Sequence, residues 1–135
     1  MEAEEAGSLV GSAAVIDVRE AYEFDAGHIG DSINIPIGQI IQRREELDRE
    51  TVTLVVCQIG QRSGLVADFL SEHGFAAHNL VGGLEVWVTS GLPLVSEGKP
   101  GKVVDGYARN LFGDLITTDP GAYPETKGTS PTKCP

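Results

Sequence analysis

Residues 8 to 96 alternate between short apolar runs and segments of helical periodicity, and this alternation restricts the possible folds more than any other feature. The apolar runs have strand length and composition and lie at residues 13 to 18, 31 to 35, 51 to 56 and 76 to 81. Helical patterns lie between and after them, at residues 20 to 26, 37 to 48, 62 to 73 and 82 to 91. Strands separated by helices predict a mostly parallel sheet with helices on both faces.

The helical pattern at residues 62 to 73 is bounded clearly at its end. Gly74 follows it and predicts a helix stop. Its apolar face is predicted to contain four side chains, Leu65, Val66, Phe69 and Leu70.

Charge divides the chain into two parts. Residues 1 to 96 hold 15 acidic and 5 basic side chains, whereas residues 97 to 135 hold 5 of each and five of the seven prolines. We therefore predict a compact domain at residues 8 to 96 and a C-terminal extension at residues 97 to 135. The formal net charge of -10 argues against nucleic acid as a partner, because no basic patch could replace counterions around phosphates.

The extension contains an apolar stripe at helical spacing. This stripe predicts a short amphipathic helix at residues 103 to 117, followed by a flexible end from residue 120. Docking of the helix on the chain's own domain is the main expectation, and a homodimer or partner interface is the alternative. Cys134 near the terminus is expected to be an inert thiol, the alternative being a mobile acceptor or resolving thiol.

The chain is predicted to be cytoplasmic and not membrane-bound. Its start is acidic and lacks the basic and apolar blocks of a secretory signal, and no apolar run approaches the roughly 20 residues of a membrane span. The two cysteines, Cys57 and Cys134, do not suggest a disulfide framework.

Cys57 lies between the predicted strand at residues 51 to 56 and the helix at residues 62 to 73. The first NH groups of a helix lack partners within it and carry partial positive charge, so this position favours a thiolate. Gly60 allows the intervening loop to point NH groups inward as an anion-binding nest, and Arg62 adds a cation. The predicted loop, which would hold a bound anion or a charged group built on the sulfur, comprises Gln58, Ile59, Gly60, Gln61, Arg62 and Ser63.

Short motifs occur in a fixed order around this loop. They are Asp17-Val18-Arg19, Glu23-Phe24, Gly27-His28-Ile29, Ser32, Asn34-Ile35-Pro36, Cys57 to Ser63, and Gly82-Gly83 with Trp87. Together they closely resemble the single-domain rhodaneses over about residues 13 to 95. The resemblance implies a three-layer α/β sandwich and a sulfurtransferase. In that family the cysteine takes a sulfane sulfur from a donor such as thiosulfate and passes it, as a persulfide, to cyanide or a thiol.

Supporting roles are expected for several residues around the loop and within it. The resemblance implies that Asp17 belongs to a network bracing the loop and that His28 is a hydrogen-bonding scaffold residue. Arg19 could reach the anion pocket, but an ion pair with Glu20 or Glu23 is preferred. Arg62 is expected to hold thiosulfate oxygens, with a surface ion pair to Asp68 or Glu72 as the alternative. Ser63 is expected to cap the helix or brace the loop, and Trp87 to fill the core.

Two other functions remain as alternatives. Rhodanese-fold phosphatases and arsenate reductases have one more residue between cysteine and arginine than the four present here, and often a histidine where this chain has Val56. Non-catalytic rhodanese-like modules bind or regulate, but these often lack the cysteine. The predicted partners are a small anionic sulfur donor, a thiol or cyanide acceptor and a sulfur-carrier protein, and no cofactor or metal is implied.

Overall fold

The computed structural model describes residues 1–97 and 99–104, so most of the predicted helix at residues 103 to 117, the predicted flexible end and Cys134 lie outside the described residues. The helices are α1 (Ala3–Leu9), α2 (Ala21–Ala26), α3 (Ile40–Arg43), α4 (Gln61–Glu72) and α5 (Gly83–Thr89). The strands are β1 (Ala14–Asp17), β2 (Ile33–Asn34), β3 (Thr53–Val56), β4 (Ala77–Asn79), β5 (Val95–Ser96) and β6 (Lys99–Pro100). None of the helices in residues 1–97 and 99–104 has the length and apolar composition of a membrane span.

Four strands form a parallel sheet in the order β2, β1, β3, β4. β2 is added on one side of β1, whereas β3 and β4 are added on the other side. The order in which the strands are added therefore reverses between β1 and β3, and this is the topological switch point of the sheet. Asp17 and Val56 are register partners there, at the carboxyl ends of the two strands. In open parallel sheets, such a switch point is where ligands bind.

Alternate residues of the central strands supply two separate cores. Val15, Leu54 and Val56 pack on one face with residues of α1 and α5, while Ile16, Val55 and Cys57 pack on the other with residues of α3 and α4. This alternation follows from the two-residue period of a strand. The predicted α/β sandwich, with a parallel sheet covered on both faces, is confirmed.

Two details of the predicted helices are wrong. The segment predicted as one helix from residue 37 to 48 consists of α3 between two 3-10 turns, Ile37–Gln39 and Arg44–Glu46. Leu65 on α4 is 57% exposed, because the face of α4 that meets the sheet contains Arg62, Ser63, Val66, Ala67 and Leu70. Hydrophobicity alone could not identify that face, since two of its five members are polar.

Segments at both ends of the described chain pack onto the sandwich. Ala3 and Ala6 of α1 are buried, and Val103 packs against the same core. The strap formed by residues 99 to 102 crosses Gly27, where Lys102 N donates to the Ala26 carbonyl at 3.0 Å. Residues before and after the predicted domain of residues 8 to 96 therefore also pack against its core.

Candidate active site

Cys57 follows β3 directly and occupies the switch point of the sheet. Its side chain is buried on the side of the sheet that faces α4. Gly60, with φ of 95°, occupies the N-cap position of α4. A positive φ is favourable for glycine, so Gly60 lets the chain turn from the loop into the helix.

Three donors surround the Cys57 sulfur. The Gly60 NH lies 3.1 Å from Sγ, the Ser63 NH 3.3 Å and the Ser63 Oγ 3.2 Å. Ser63 is the third residue of α4, and its NH belongs to the first turn, where no intrahelical acceptor exists. No side chain at the N-cap satisfies that turn, so the sulfur takes the place of a capping oxygen. Ser63 was expected to cap the helix or to brace the loop. It is not the cap, because Gly60 occupies the N-cap position, but its hydroxyl contacts Cys57 Sγ and Asn79 Oδ1, as a residue that braces the loop would.

The N-terminus of α5 fixes the loop from the opposite side. Leu84 N donates to the Cys57 carbonyl at 2.9 Å and Glu85 N to the Gln58 carbonyl at 3.0 Å. The carbonyl groups of Cys57 and Gln58 therefore point toward the N-terminus of α5. Gly83 permits the close approach: it has φ of 66°, and a Cβ there would meet the Gln58 carbonyl and lie 2.6 Å from Ile59 N.

We expect Gly83→Ala to destabilise the protein by about 2 to 5 kcal/mol, because it adds both backbone strain and a backbone clash. Urea unfolding measures the effect. The matched control is Gly38→Ala, where a Cβ would meet no atom within 4 Å, and we expect it to change stability by less than about 0.5 kcal/mol. Equal stability of the two variants would contradict this account of the Gly82-Gly83 motif.

Arg62 is buried and forms an ion pair with Glu23 of α2. Its two terminal nitrogens lie 2.9 Å from the two carboxylate oxygens of Glu23, and both side chains are at most 1% exposed. The predicted alternative of a surface pair with Asp68 or Glu72 is therefore wrong. Glu23 also accepts a hydrogen bond from Glu20 N in a capping box at the start of α2. Burial raises the pKa of Glu20, the Glu23 charge raises it further, and Arg62 opposes both effects.

Asp17 and Arg19 form a second buried pair at the end of β1. Arg19 Nε and Nη2 donate to the Asp17 carboxylate, and Nη2 also donates to the Gly27 carbonyl at 2.6 Å. The preferred prediction, an Arg19 ion pair with Glu20 or Glu23, is wrong. Asn34 Nδ2 donates to the Asp17 and Arg19 carbonyls, so β2 is tied to the same corner. Asp17 and its partners thus join β1, β2 and the Gly27 turn by hydrogen bonds, as the predicted bracing role of Asp17 requires.

The remaining predicted residues lie apart from the sulfur or at the rim. His28 stacks on Phe24 with ring centroids 3.8 Å apart, and its Nδ1 contacts the Phe24 carbonyl at 2.8 Å. Gln58 Nε2 donates to Glu85 of α5 at 2.6 Å. Ile59 is half-buried and Gln61 is exposed. Trp87 is 2% exposed in the core, as predicted, and donates to the Pro93 carbonyl.

The sequence prediction does not identify the contacts of three polar residues at the site. It gives Glu23 as one possible partner of Arg19, assigns no role to Glu85, and places Asn79 only within a strand. Asn79 reaches from the end of β4 to Ser63 and Gly60. A signal for Glu23 was available, since an acidic side chain three residues after Glu20 fits a capping box. Within residues 1–97 and 99–104, no group of three or more His, Cys, Asp and Glu could hold a metal ion.

Comparison with known proteins identifies relatives of this chain. A family model described as a rhodanese-like domain matches residues 2–90. The chain is 41% identical over 76 residues to the uncharacterized protein YqhL of Bacillus subtilis, covering 56% of this chain and 60% of YqhL. It is 34% identical over 79 residues to thiosulfate sulfurtransferase GlpE of Pseudomonas syringae pv. syringae, covering 58% of this chain and 74% of GlpE. The crystal structure of a rhodanese-related protein from Thermoplasma volcanium superposes with a TM-score of 0.70 at 34% identity, covering 72% of this chain and 97% of that one.

Proposed function

This chain belongs to the rhodanese-like domain family, and from that membership we propose that it is a sulfurtransferase that carries a sulfane sulfur on Cys57 as a persulfide. The donor is thiosulfate or a persulfide, and the acceptor is cyanide or a thiol. Relatives named sulfurtransferases support the reaction class, and one of them, thiosulfate sulfurtransferase GlpE, is named for thiosulfate. No cofactor takes part in the proposed reaction.

The proposed reaction has two displacement steps. The Cys57 thiolate attacks the outer sulfur of thiosulfate, a new sulfur–sulfur bond forms, and sulfite leaves with the electron pair of the broken bond. Cyanide then attacks the outer sulfur of the persulfide, thiocyanate forms, and the Cys57 thiolate is released. A thiol acceptor follows the same course and becomes a persulfide itself.

The observation that carries the proposal is the set of three donors around the Cys57 sulfur. The NH groups of Gly60 and Ser63 and the Ser63 hydroxyl lie within 3.1 to 3.3 Å of it. Both the attacking thiolate and the leaving thiolate carry negative charge, and the two fixed NH groups stabilise that charge without rearranging. The Ser63 hydroxyl adds a third bond when its proton points to the sulfur. An ordinary structural cysteine at a strand end would not need them.

The short loop favours sulfur over phosphate or arsenate. Four residues, Gln58 to Gln61, separate Cys57 from Arg62, one fewer than in the phosphatases and arsenate reductases of this fold. Both terminal nitrogens of Arg62 also bind Glu23, so a tetrahedral oxyanion would compete with a buried carboxylate for them. We therefore do not propose phosphatase activity.

Intact mass spectrometry after incubation with thiosulfate tests the proposal directly. We expect a gain of one sulfur atom that disappears on addition of cyanide, with thiocyanate appearing in stoichiometric amount. A folded protein that gains no sulfur from thiosulfate or from a low-molecular-weight persulfide would contradict it. In that case a binding or regulatory role would be the better account.

We expect thiosulfate to bind weakly, with a KM of roughly 1 mM or higher. Arg62 and Arg19 are both paired with buried carboxylates, and the net charge of -10 repels a dianion. A low-molecular-weight or protein-borne persulfide should therefore have the higher kcat/KM. Steady-state kinetics with the two donors at low and high salt measure this, and saturation by micromolar thiosulfate at low salt would show that the prediction is wrong.

A further inference from the structure

Asn79, the last residue of β4, contacts both ends of the turn that leads into α4. Its Nδ2 donates to the Gly60 carbonyl at 3.1 Å, and its Oδ1 accepts from the Ser63 hydroxyl at 2.5 Å. Gly60 and Ser63 are also the residues whose NH groups reach the Cys57 sulfur. Asn79 thus touches both residues that donate to the sulfur, although it does not itself donate to it.

We propose that Asn79 is a positioning residue that acts through the Ser63 hydroxyl and sets the balance between thiol and thiolate at Cys57. The inference rests on the proposed function, since it concerns the sulfur that is to carry the persulfide. Under this proposal, Asn79 influences how much of Cys57 is present as the reactive thiolate. Asn79 lies on β4, outside the motif formed by Cys57 to Ser63.

The Gly60 carbonyl fixes the orientation of the Asn79 amide. A carbonyl oxygen can only accept, so the NH2 group of Asn79 must face it. The amide oxygen then faces Ser63 and can only accept as well. Asn79 therefore requires the Ser63 hydroxyl to be the donor in their contact.

A serine hydroxyl has one proton, and two acceptors compete for it. When the proton points to Asn79, the Ser63 oxygen presents a lone pair to the sulfur at 3.2 Å and can accept from the Cys57 S–H. When Cys57 is ionised, the hydroxyl must rotate toward the sulfur and give up the bond to Asn79. Ionisation therefore costs one hydrogen bond, and Asn79 favours the protonated thiol between reaction cycles.

The Asn79→Leu variant tests this inference, because leucine has a similar size and cannot accept a hydrogen bond. We expect the Ser63 hydroxyl to become free to donate to the thiolate. The pH midpoint of Cys57 ionisation should then fall by about half to one unit, a three- to tenfold change in the thiolate-to-thiol ratio. The readout is the ultraviolet absorbance of the thiolate during a pH titration, corrected with the same titration of Cys57→Ser.

Asn79→Leu and Asn79→Ala neither add nor remove a charged residue, so a change in charge cannot cause the predicted fall. The charged residues left in place on the elements around the loop include Asp17, Arg19, Glu20, Glu23, Arg62, His78 and Glu85.

The same substitution in a Ser63→Ala background provides the matched control. Without the hydroxyl, Asn79→Leu should leave the midpoint unchanged, because the proposed effect passes only through that proton. Asn79→Asp keeps an acceptor toward Ser63 and adds a negative charge, so it should raise the midpoint. Asn79→Ala provides a second test of the predicted fall if the leucine variant fails to fold.

Several outcomes would overturn the inference. If Asn79 only holds the loop in shape, its removal should misplace the donors and raise the midpoint, and the effect should persist in the Ser63→Ala background. An unchanged midpoint in folded Asn79→Leu would overturn it as well. Because the titration requires no turnover, it remains decisive even if the protein does not load sulfur, so the two proposals fail separately.

Discussion

Cys57→Ser is expected to abolish sulfur loading and to lower the rate of thiocyanate formation by at least about a thousandfold. A serine hydroxyl is not ionised at neutral pH, and an alcohol is a poor nucleophile toward sulfur. The fold should persist, because serine can accept the bonds that Gly60 N and Ser63 N now donate to the sulfur. Intact mass after incubation with a sulfur donor and steady-state thiocyanate production measure the two effects.

Cys134→Ser is the matched control, since it removes the other cysteine of the chain. It should load one sulfur at the wild-type rate. Loading of sulfur by Cys57→Ser would show that Cys134 carries the persulfide and would reject the proposed site. Slower turnover of a fully loaded Cys134→Ser would instead assign that cysteine a role in sulfur release.

Glu23→Gln is expected to destabilise the protein by about 3 to 5 kcal/mol, because it removes the charged carboxylate that binds both terminal nitrogens of the buried Arg62 guanidinium. Both side chains are at most 1% exposed, so water cannot replace the lost carboxylate. Glutamine keeps the size of the side chain and an oxygen for Glu20 N, so the loss reports the charge and not a cavity. Urea or thermal unfolding measures it.

The exposed pair Arg43–Glu46 supplies the control, with its nitrogen and oxygen 3.0 Å apart. Glu46→Gln should cost less than about 1 kcal/mol, since water solvates both partners. The double variant Glu23→Gln with Arg62→Met should recover part of the stability lost in Glu23→Gln, because no unpaired charge remains buried. Equal effects at the buried and exposed pairs would show that Arg62 and Glu23 do not form the ion pair described here.

Glu23→Gln also tests whether Arg62 can bind the sulfur donor in addition to pairing with Glu23. The substitution releases the Arg62 guanidinium from a charged partner and so increases the positive charge near the loop. The thiosulfate KM should therefore fall if the folded variant can be assayed well below its unfolding temperature. An increase in KM would indicate that Glu23 positions the loop for the donor.

Local sequence patterns predicted the elements and the location of the candidate site. The order of strands and helices follows from short apolar runs of strand length and from segments with the 3.6-residue period of a helix, both of which are local features. The places of Cys57, Gly60 and Gly74 at element boundaries follow from the chemistry of helix ends. The helical segment at residues 37 to 48 was mispredicted because its apolar spacing does not distinguish one helix from α3 flanked by 3-10 turns.

Contacts between distant residues could not be predicted in this way. The Arg62–Glu23 pair spans 39 positions and the Ser63–Asn79 contact spans 16. Each depends on how α2, α4 and β4 meet at the switch point of the sheet. Arg19 had several carboxylates within reach along the chain, and only the fold showed that Asp17 is the one it binds.

By itself, the sequence determined that this protein is an α/β sandwich with a cysteine at the start of a helix, because periodicity and helix-end chemistry are local properties. Only the tertiary structure decided which carboxylates pair with the two buried arginines, Arg19 and Arg62. It also decided which side chain competes with the sulfur for the Ser63 proton. Burial is the physical reason. A charge or hydroxyl removed from water must find its partner among the groups that packing brings to it, and packing is a property of the whole fold.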